Sequence, residues 1–383
     1  MREHELSQWE AISLMVGAGV GAGIMAVPYL AQTVGLAGIA VILPIAWLAS
    51  VLVHLMLAEV LFRTGKDLQV IELMRIYVLK GKGGQVLLWL VFALLSVAFL
   101  ANLAAYVSGA GEILAQLTGL NLRAAEIVIY ILSAGVVFFG LKAVGIAERY
   151  GTLVLFALIA ALVLGSMGVP LQKIPILGGG SAQWLAVYSM IMYALWTFYS
   201  VPQVVKGTHA DPLKAVRAIK IGLGINGALT FIVALVAFAV SDPVTELAIL
   251  GISDKLGPWA GTVGSLFIMA ALVTSYWSVS LALADILRER TGISVNGAWL
   301  LATLPSLLLL WLGIWRFMEY LRLAAGATAL VVALITIPMY LRARKDSPVA
   351  DPVWTLGSWG RGWVLALVTL ALILMAYGSL AAV

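Results

Sequence analysis

The chain has 383 residues, 63% of them hydrophobic and 11% charged, with a net charge of +5. Soluble domains carry about 25% charged residues, so this composition excludes an ordinary soluble protein and points to a chain facing lipid or other buried helices. The basic excess does not argue for nucleic acid, because the lysines and arginines lie in short loops between apolar runs, and the lack of cysteine excludes disulfides and thiolate metal sites.

The opening MREHELSQWE is polar and mixed in charge, unlike a signal peptide, so the first helix is expected to be retained. Apolar runs of about 17–25 residues each suffice to cross a bilayer. They fall at 9–34, 37–61, 84–115, 124–141, 151–168, 182–206, 215–240, 259–287, 295–312, 321–341 and 361–382. The third and eighth are long and should tilt or extend beyond the membrane. With the N-terminus in the cytoplasm, all 23 basic residues except Arg123, Lys173, Lys255, Arg316 and Arg322 fall on the inner side. That bias predicts N-inside, C-outside.

In the first segment, GAGVGAGIMAVP (Gly17–Pro28) does not suit an unbroken spanning helix. Each interior glycine costs roughly 0.5–1 kcal/mol relative to alanine, and proline removes a backbone donor. In lipid, backbone groups released this way are tolerated only where protein or a wet cavity satisfies them. We read a helix that breaks and turns its backbone onto a ligand. The alternative is close helix packing through the pairs Gly17/Gly21 and Gly19/Gly23. A break offers amide donors around Gly19, Gly21, Ala22, Gly23 and Ile24, a setting that favours an anion. The inner half would end in carbonyls near Gly17 and Val20, suited to a small cation.

In segment two, His54 reads as a hydrogen-bonded helix residue rather than a proton relay, and Glu59 as a buried gate residue. Asn102 and Tyr106 in segment three are four apart and share a face, as substrate contacts or as glue between helices. Glu112, Glu126, Glu148 and Asp285 stand near predicted helix ends, where capping and loop contacts are expected. The sixth segment, MIMYALWTFYSVPQVVKG (Met190–Gly207), repeats the anomaly of the first. Thr197, Ser200 and Pro202 sit among Trp196, Phe198 and Tyr199. Corresponding interruptions five segments apart point to inverted repeats with a site between them. The predicted fold is therefore an all-α integral membrane protein of eleven transmembrane helices. Residues 1–168 and 182–341 form a 5+5 inverted repeat with helices 1 and 6 broken, and 342–383 add one extra helix.

Carbonyls near Leu195 and Trp196 would take an ammonium group, with the neighbouring aromatics walling a side-chain pocket. A carboxylate at one break and an ammonium at the other make an amino-acid site. The loop 242–258 contains TELAILGI, either a short amphipathic helix or a plain connector. In segment eight, VTSYWSVSLALAD, the hydroxyls of Thr274, Ser275 and Ser278 lie within about one turn. They either bond back to the preceding turn or, with the Gly17 and Val20 carbonyls, hold a sodium ion. No HExxH, GxSxG or Walker A spacing occurs, so an enzyme is not expected, nor any cofactor beyond a possible Na+ ion.

VGAGIMAVPYLAQTVG (Val20–Gly35), FGLKAVGIAERY (Phe139–Tyr150) and TSYWSVSLALADIL (Thr274–Leu287) resemble three passages of the amino acid/polyamine/organocation superfamily. More narrowly, they resemble its hydroxy and aromatic amino-acid permeases and the amino acid/auxin permeases. Gly21, Gly23 and Pro28 fall on the marked positions of the first-helix pattern. FYSVP (Phe198–Pro202) is a looser match, lacking the histidine and glycine often seen before the proline. The resemblance covers most of the chain and implies the leucine-transporter fold, alternating access, and amino-acid uptake driven by sodium or protons. It places the carboxylate-binding backbone at Gly21–Gly23, the amine-facing break at Leu195–Tyr199, and a sodium site at Gly17, Val20, Thr274 and Ser275. Proton-coupled superfamily members put a lysine on helix five. Segment five here has none, which favours a cation site or an unrelated proton path. The expected protein is a monomeric symporter of a bacterial or archaeal inner membrane, surrounded by lipid. The alternatives are a non-transporting amino-acid sensor like the spore-germination receptor subunits, or a divalent-metal transporter on the same fold.

Overall fold

The computed structural model describes residues 5–169, 175–241, 244, 253–313 and 317–381. The first helix, α1 (Gln8–Gly19), starts at a capping box. Glu10 N–H donates to Ser7 Oγ (3.2 Å) and Ser7 N–H to Glu10 Oε2 (2.8 Å), satisfying two donors that a helix start leaves orphaned. After it come α2 (Ala22–Ala31), bent by 48° from α1, and α3 (Gly35–Thr64). Between α3 and α5 (Gly81–Thr118) lies a short α4 (Val70–Tyr77), in a stretch the sequence reads as loop. It is too short to stand out as a span, yet it buries Val70, Ile71, Leu73 and Met74.

The chain continues through α6 (Leu122–Phe138), α7 (Leu141–Ser166) and α8 (Ser181–Ala194). A 3-10 turn (Phe198–Ser200) leads into α9 (Val201–Gly207) and then α10 (Pro212–Val240). The last elements are α11 (Ser253–Leu256), α12 (Pro258–Thr291), α13 (Val295–Trp311), α14 (Phe317–Lys345) and α15 (Trp363–Ala381). No strand occurs among the described residues. TELAILGI (245–252), the candidate loop helix, lies outside them.

Seven helical segments among the described residues are long and apolar enough to cross a bilayer: α3, α5, α7, the α8–α9 pair, α10, α12 and most of α14. The bent α1–α2 pair makes an eighth. The shorter α6, α13 and α15 coincide with the remaining apolar runs of the sequence. Outward-facing apolar side chains such as Ile45, Leu90, Leu132, Leu164 and Leu367 form the face that lipid must cover. By contrast α1 is buried from Glu10 to Gly19, and α2 from Ala22 to Pro28. A helix apolar and buried all round belongs to the centre of a bundle. Here α1 packs against α7, α10 and α12, and α2 against α8 and α10.

The start of α7 corrects the sequence reading. Gly140, at φ +81°, turns the chain, and the helix then runs through Lys142, Glu148 and Arg149 before reaching the apolar run. Glu148 is therefore not at a helix end. It lies about two turns inside α7 and is fully buried. The other carboxylates take side-chain partners rather than capping helix ends. Glu126 accepts from Trp311 Nε1 (3.1 Å), Glu112 from Ser108 Oγ (3.3 Å) and Asp285 from Gln69 Nε2 (3.4 Å). Glu59 is a fully buried clasp. It accepts from Arg63 Nε (2.8 Å), the Tyr340 hydroxyl (3.0 Å) and Leu356 N–H (2.8 Å), tying α3 to α14 and to the segment before α15.

Candidate functional site

The four alternating glycines of the first segment provide space rather than unusual backbone. None takes a positive φ. A Cβ on Gly17 would stand 1.7 Å from Glu148 Oε2 of α7, and one on Gly19 2.1 Å from Asn226 Nδ2 of α10. On Gly21 it would stand 2.5 Å from Ser275 Oγ of α12, and on Gly23 2.8 Å from the Ala194 Cα of α8. Four helices thus approach this one at successive odd positions, each where only hydrogen fits. The stretch is both broken and closely packed. Pro28 is not part of the break, since it lies inside α2.

The break falls at Val20–Gly21, where α1 ends and its last carbonyls lose their helical partners. Side chains from two other elements take up two of them. Ser275 Oγ donates to Gly17 O (2.8 Å) and the Tyr199 hydroxyl to Ala18 O (3.1 Å), while Asn226 Nδ2 of a third adds a second bond to Met15 O (3.0 Å) in the preceding turn. Val20 N–H still reaches Val16 O (2.8 Å), and Gly21 N–H turns back to Gly19 O (2.8 Å). The N-cap of α2 is Gly21, which has no side chain with which to cap the amides of Ala22, Gly23 and Ile24.

The second break is held differently. α8 ends at Ala194, and one helix, α3, secures the unwound residues that follow. Ser50 Oγ donates to Leu195 O (3.1 Å). Thr197 N–H donates to His54 Nε2 (3.0 Å). The opposite ring nitrogen, Nδ1, lies 2.6 Å from Ser50 O, which fixes the neutral Nδ1–H tautomer. The His54 ring also meets Trp196 and Phe198 edge-on, at 5.6 and 5.9 Å between centroids, while these two stack on each other at 5.3 Å. Pro202 occupies the first turn of α9, where its missing N–H costs nothing.

Between the breaks lies a cavity lined by Ala18, Gly19, Gly21, Gly23, Phe99, Asn102, Tyr106, Tyr193, Trp196, Tyr199 and Thr328. Gly19, Gly21, Gly23, Asn102, Tyr106, Trp196 and Tyr199 of the sequence-predicted substrate residues thus meet there. Ala22, Ile24, Leu195, Thr197, Phe198 and Ser200 are buried beside it without lining it. Asn102 Oδ1 accepts from the Tyr193 hydroxyl (2.8 Å). Ala18, Tyr193, Phe99 and Thr328 were missed. Phe99 precedes Asn102 by three and Tyr106 by seven, a same-face spacing that would have flagged it, whereas Thr328 on α14 has no such signal. The cavity measures ≈ 20 Å³, room for about one water and too small, in this conformation, for a larger ligand.

The residues named for a cation divide. Ser275 is bonded to Gly17 O, and Ser278 Oγ donates to Glu148 Oε1 (2.6 Å). Thr274 bonds back to Ala271 O (3.0 Å) and turns its methyl toward Gly151. Val20 is the C-cap of α1. Among the described residues no three His, Asp or Glu side chains cluster as a metal site.

The fold has solved relatives. It superposes on a bromovinylhydantoin-bound closed structure of Mhp1, a nucleobase-cation-symport-1 family transporter, with a TM-score of 0.67. That match has 15% identity and covers 99% of this chain and 91% of that one. With MhsT in complex with L-phenylalanine the TM-score is 0.70 at 17% identity, over 100% of both chains. No curated protein sequence is close enough to count as a match. The sequence profile of the tryptophan/tyrosine permease family, by contrast, matches residues 4–378. The chain belongs to that family of hydroxy and aromatic amino-acid permeases, and is a multi-pass membrane transporter with the leucine-transporter fold rather than an enzyme.

Proposed function

We propose that this permease imports an amino acid by alternating access, coupled to sodium or protons. The membrane is the inner membrane of a bacterium or archaeon, with the N-terminus inside. In this reading α6, α13 and α15 also cross, giving eleven helices, and the protein works as a monomer. Residues 1–168 and 182–341 are inverted repeats, and 342–383 are an addition. The observation that carries the reading is the cavity shared by both breaks. The uncapped amides at the start of α2 suit a carboxylate, and the unwound turn after α8 presents backbone suited to an ammonium group. The rings of Phe99, Tyr106, Tyr193, Trp196 and Tyr199 suit an aromatic side chain, as do the family's description and the phenylalanine held by MhsT.

The test is thermal stabilisation of the detergent-purified protein by a panel of amino acids, followed by uptake into liposomes. Ligand at about 100 times its dissociation constant adds roughly 2.7 kcal/mol to the native state. Stabilisation by aromatic amino acids, and uptake of the same compounds, is the expected result. If no amino acid stabilises the protein, the substrate class is wrong. Stabilisation without uptake would point instead to a receptor.

A further inference from the structure

We infer that a second cavity, at the inner face of the bundle, holds the headgroup of a phospholipid carrying both a phosphate and a primary ammonium group, the chemistry of phosphatidylethanolamine. The inference rests on the reading above only for its orientation, with the N-terminus inside. The cavity measures ≈ 500 Å³, within the range of small-molecule sites, against ≈ 20 Å³ between the breaks. It is bounded by the end of α6, the start of α7, the ends of α9 and α12, and the start of α13. On the charge bias of the sequence, all of these lie on the cytoplasmic side.

Its lining joins two kinds of surface. On one side Phe138 meets Phe139 and Trp299 edge-on, with ring centroids 5.5 and 5.1 Å apart. Trp299 Nε1 donates to Ala134 O (2.8 Å), which fixes this aromatic wall. Phe139 is 76% exposed and Phe138 46%, so protein leaves both rings uncovered at the inner end of a helix. The other side is charged, with Lys142, Lys206 and Arg288 set against Glu5, Asp67 and Asp285. Lys142 pairs with Glu10, and Asp67 stands 3.6 Å from His209. Lys206 and Arg288 make no ion pair among the described residues. Basic pockets between helices on this side of a membrane take lipid headgroups. Here three carboxylates offset the three bases, so an anionic headgroup meets as much repulsion as attraction. A zwitterion satisfies both sets. Its phosphate suits the bases and the start of α7, where Gly140 provides no side-chain cap. Its ammonium brings three donors to the carboxylates, whereas a quaternary ammonium has none. A soluble zwitterion would leave the aromatic wall bare, and acyl chains cover it.

The experiment is native mass spectrometry of the purified full-length chain, titrated with phosphatidylethanolamine, phosphatidylglycerol and phosphatidylcholine of identical acyl chains. Phosphatidylethanolamine should bind about tenfold more tightly than either of the others. R288Q should weaken all three lipids, and D67N should narrow the gap between phosphatidylethanolamine and phosphatidylcholine, each by about fivefold. K345Q, which removes a base elsewhere on the inner side, should change nothing. Arg288, Asp67 and Lys345 are all exposed, so the variants should melt as wild type does without lipid. Equal affinity for the three lipids overturns the assignment, as does wild-type binding by both R288Q and D67N. A loss in K345Q equal to that in R288Q reduces the effect to surface charge and overturns it too. Displacement of phosphatidylethanolamine by a free amino acid does the same, since the cavity would then belong to a soluble zwitterion. The two readings fail separately. Lipid selectivity with no amino-acid stabilisation or uptake removes the transport reading and leaves this site, whereas amino-acid uptake without lipid selectivity does the reverse.

Discussion

The two helix breaks face one cavity but are held in opposite ways. At the first, the released carbonyls of Gly17 and Ala18 are taken by Ser275 and Tyr199, and Asn226 adds a bond to Met15 O in the turn before them; the three side chains come from separate elements. At the second, Ser50 and His54 of a single helix hold Leu195 O and Thr197 N–H. A distributed arrangement lets each contact break and re-form as elements slide past one another. A concentrated one makes the unwound turn an extension of α3. The difference suggests which wall moves: the second break travels with α3 as a unit, and the first is the junction across which α7, α10 and α12 shift relative to α1.

Single substitutions should reveal this difference. His54→Ala strikes the whole of the second break. It leaves Thr197 N–H unpaired and opens a hole beside Trp196 and Phe198, a loss of roughly 3–5 kcal/mol. Melting of the purified protein should drop more for this variant than for any single change at the first break. A His54→Ala protein that melts like wild type would show that α3 does not secure the second break.

The first break should yield in smaller steps. Asn226→Ala removes the second bond to Met15 O and the group that fills the space over Gly19, for about 2 kcal/mol. Tyr199→Phe keeps the ring and removes only the donor to Ala18 O, for about 1–2 kcal/mol. The two act on different carbonyls from different elements, so the double variant should melt close to the sum of the single effects. A large departure from additivity would show that the caps act as one unit, which would erase the contrast with the second break.

Much of this was legible in the chain. Four alternating glycines marked the first break, Thr197, Ser200 and Pro202 among aromatics marked the second, and the spacing of Asn102 and Tyr106 put them on one face. What was not legible arises where the local pattern and the tertiary contact disagree. Lys142, Glu148 and Arg149 break the apolar run of segment five, so the sequence starts that helix too late and leaves Glu148 outside it. The glycines read as a break, with close helix packing as the alternative; their φ values are ordinary, and they admit Glu148, Asn226, Ser275 and the backbone at Ala194. Which side chains they admit is visible only from the partner helices. His54 read correctly as hydrogen-bonded, but nothing in its neighbours says that its partner is Thr197, far along the chain.

The smallest effect on stability concerns the base of α1. Leu6 N–H donates to Gly207 O (2.7 Å) and Gln8 Nε2 to Lys214 O (3.2 Å). Lys142 Nζ pairs with Glu10 Oε2 (2.6 Å) and reaches Glu5 O (3.1 Å). The Lys142 side chain is about one-third exposed, so Lys142→Ala should lower stability by no more than about 1 kcal/mol. If the Gln8 end of α1 swings away from α7 and α9 to release substrate, that same amount acts on the opening equilibrium, where 1 kcal/mol is about a fivefold change in population. The chain has no cysteine, so a single Ser13→Cys placed on the buried part of α1 reports opening cleanly through its rate of thiol labelling. Labelling should quicken about fivefold when Lys142→Ala is added, and slow again when substrate is present. An unchanged rate would mean that α1 is not the element that opens inward, and that the distributed caps of the first break serve packing rather than movement.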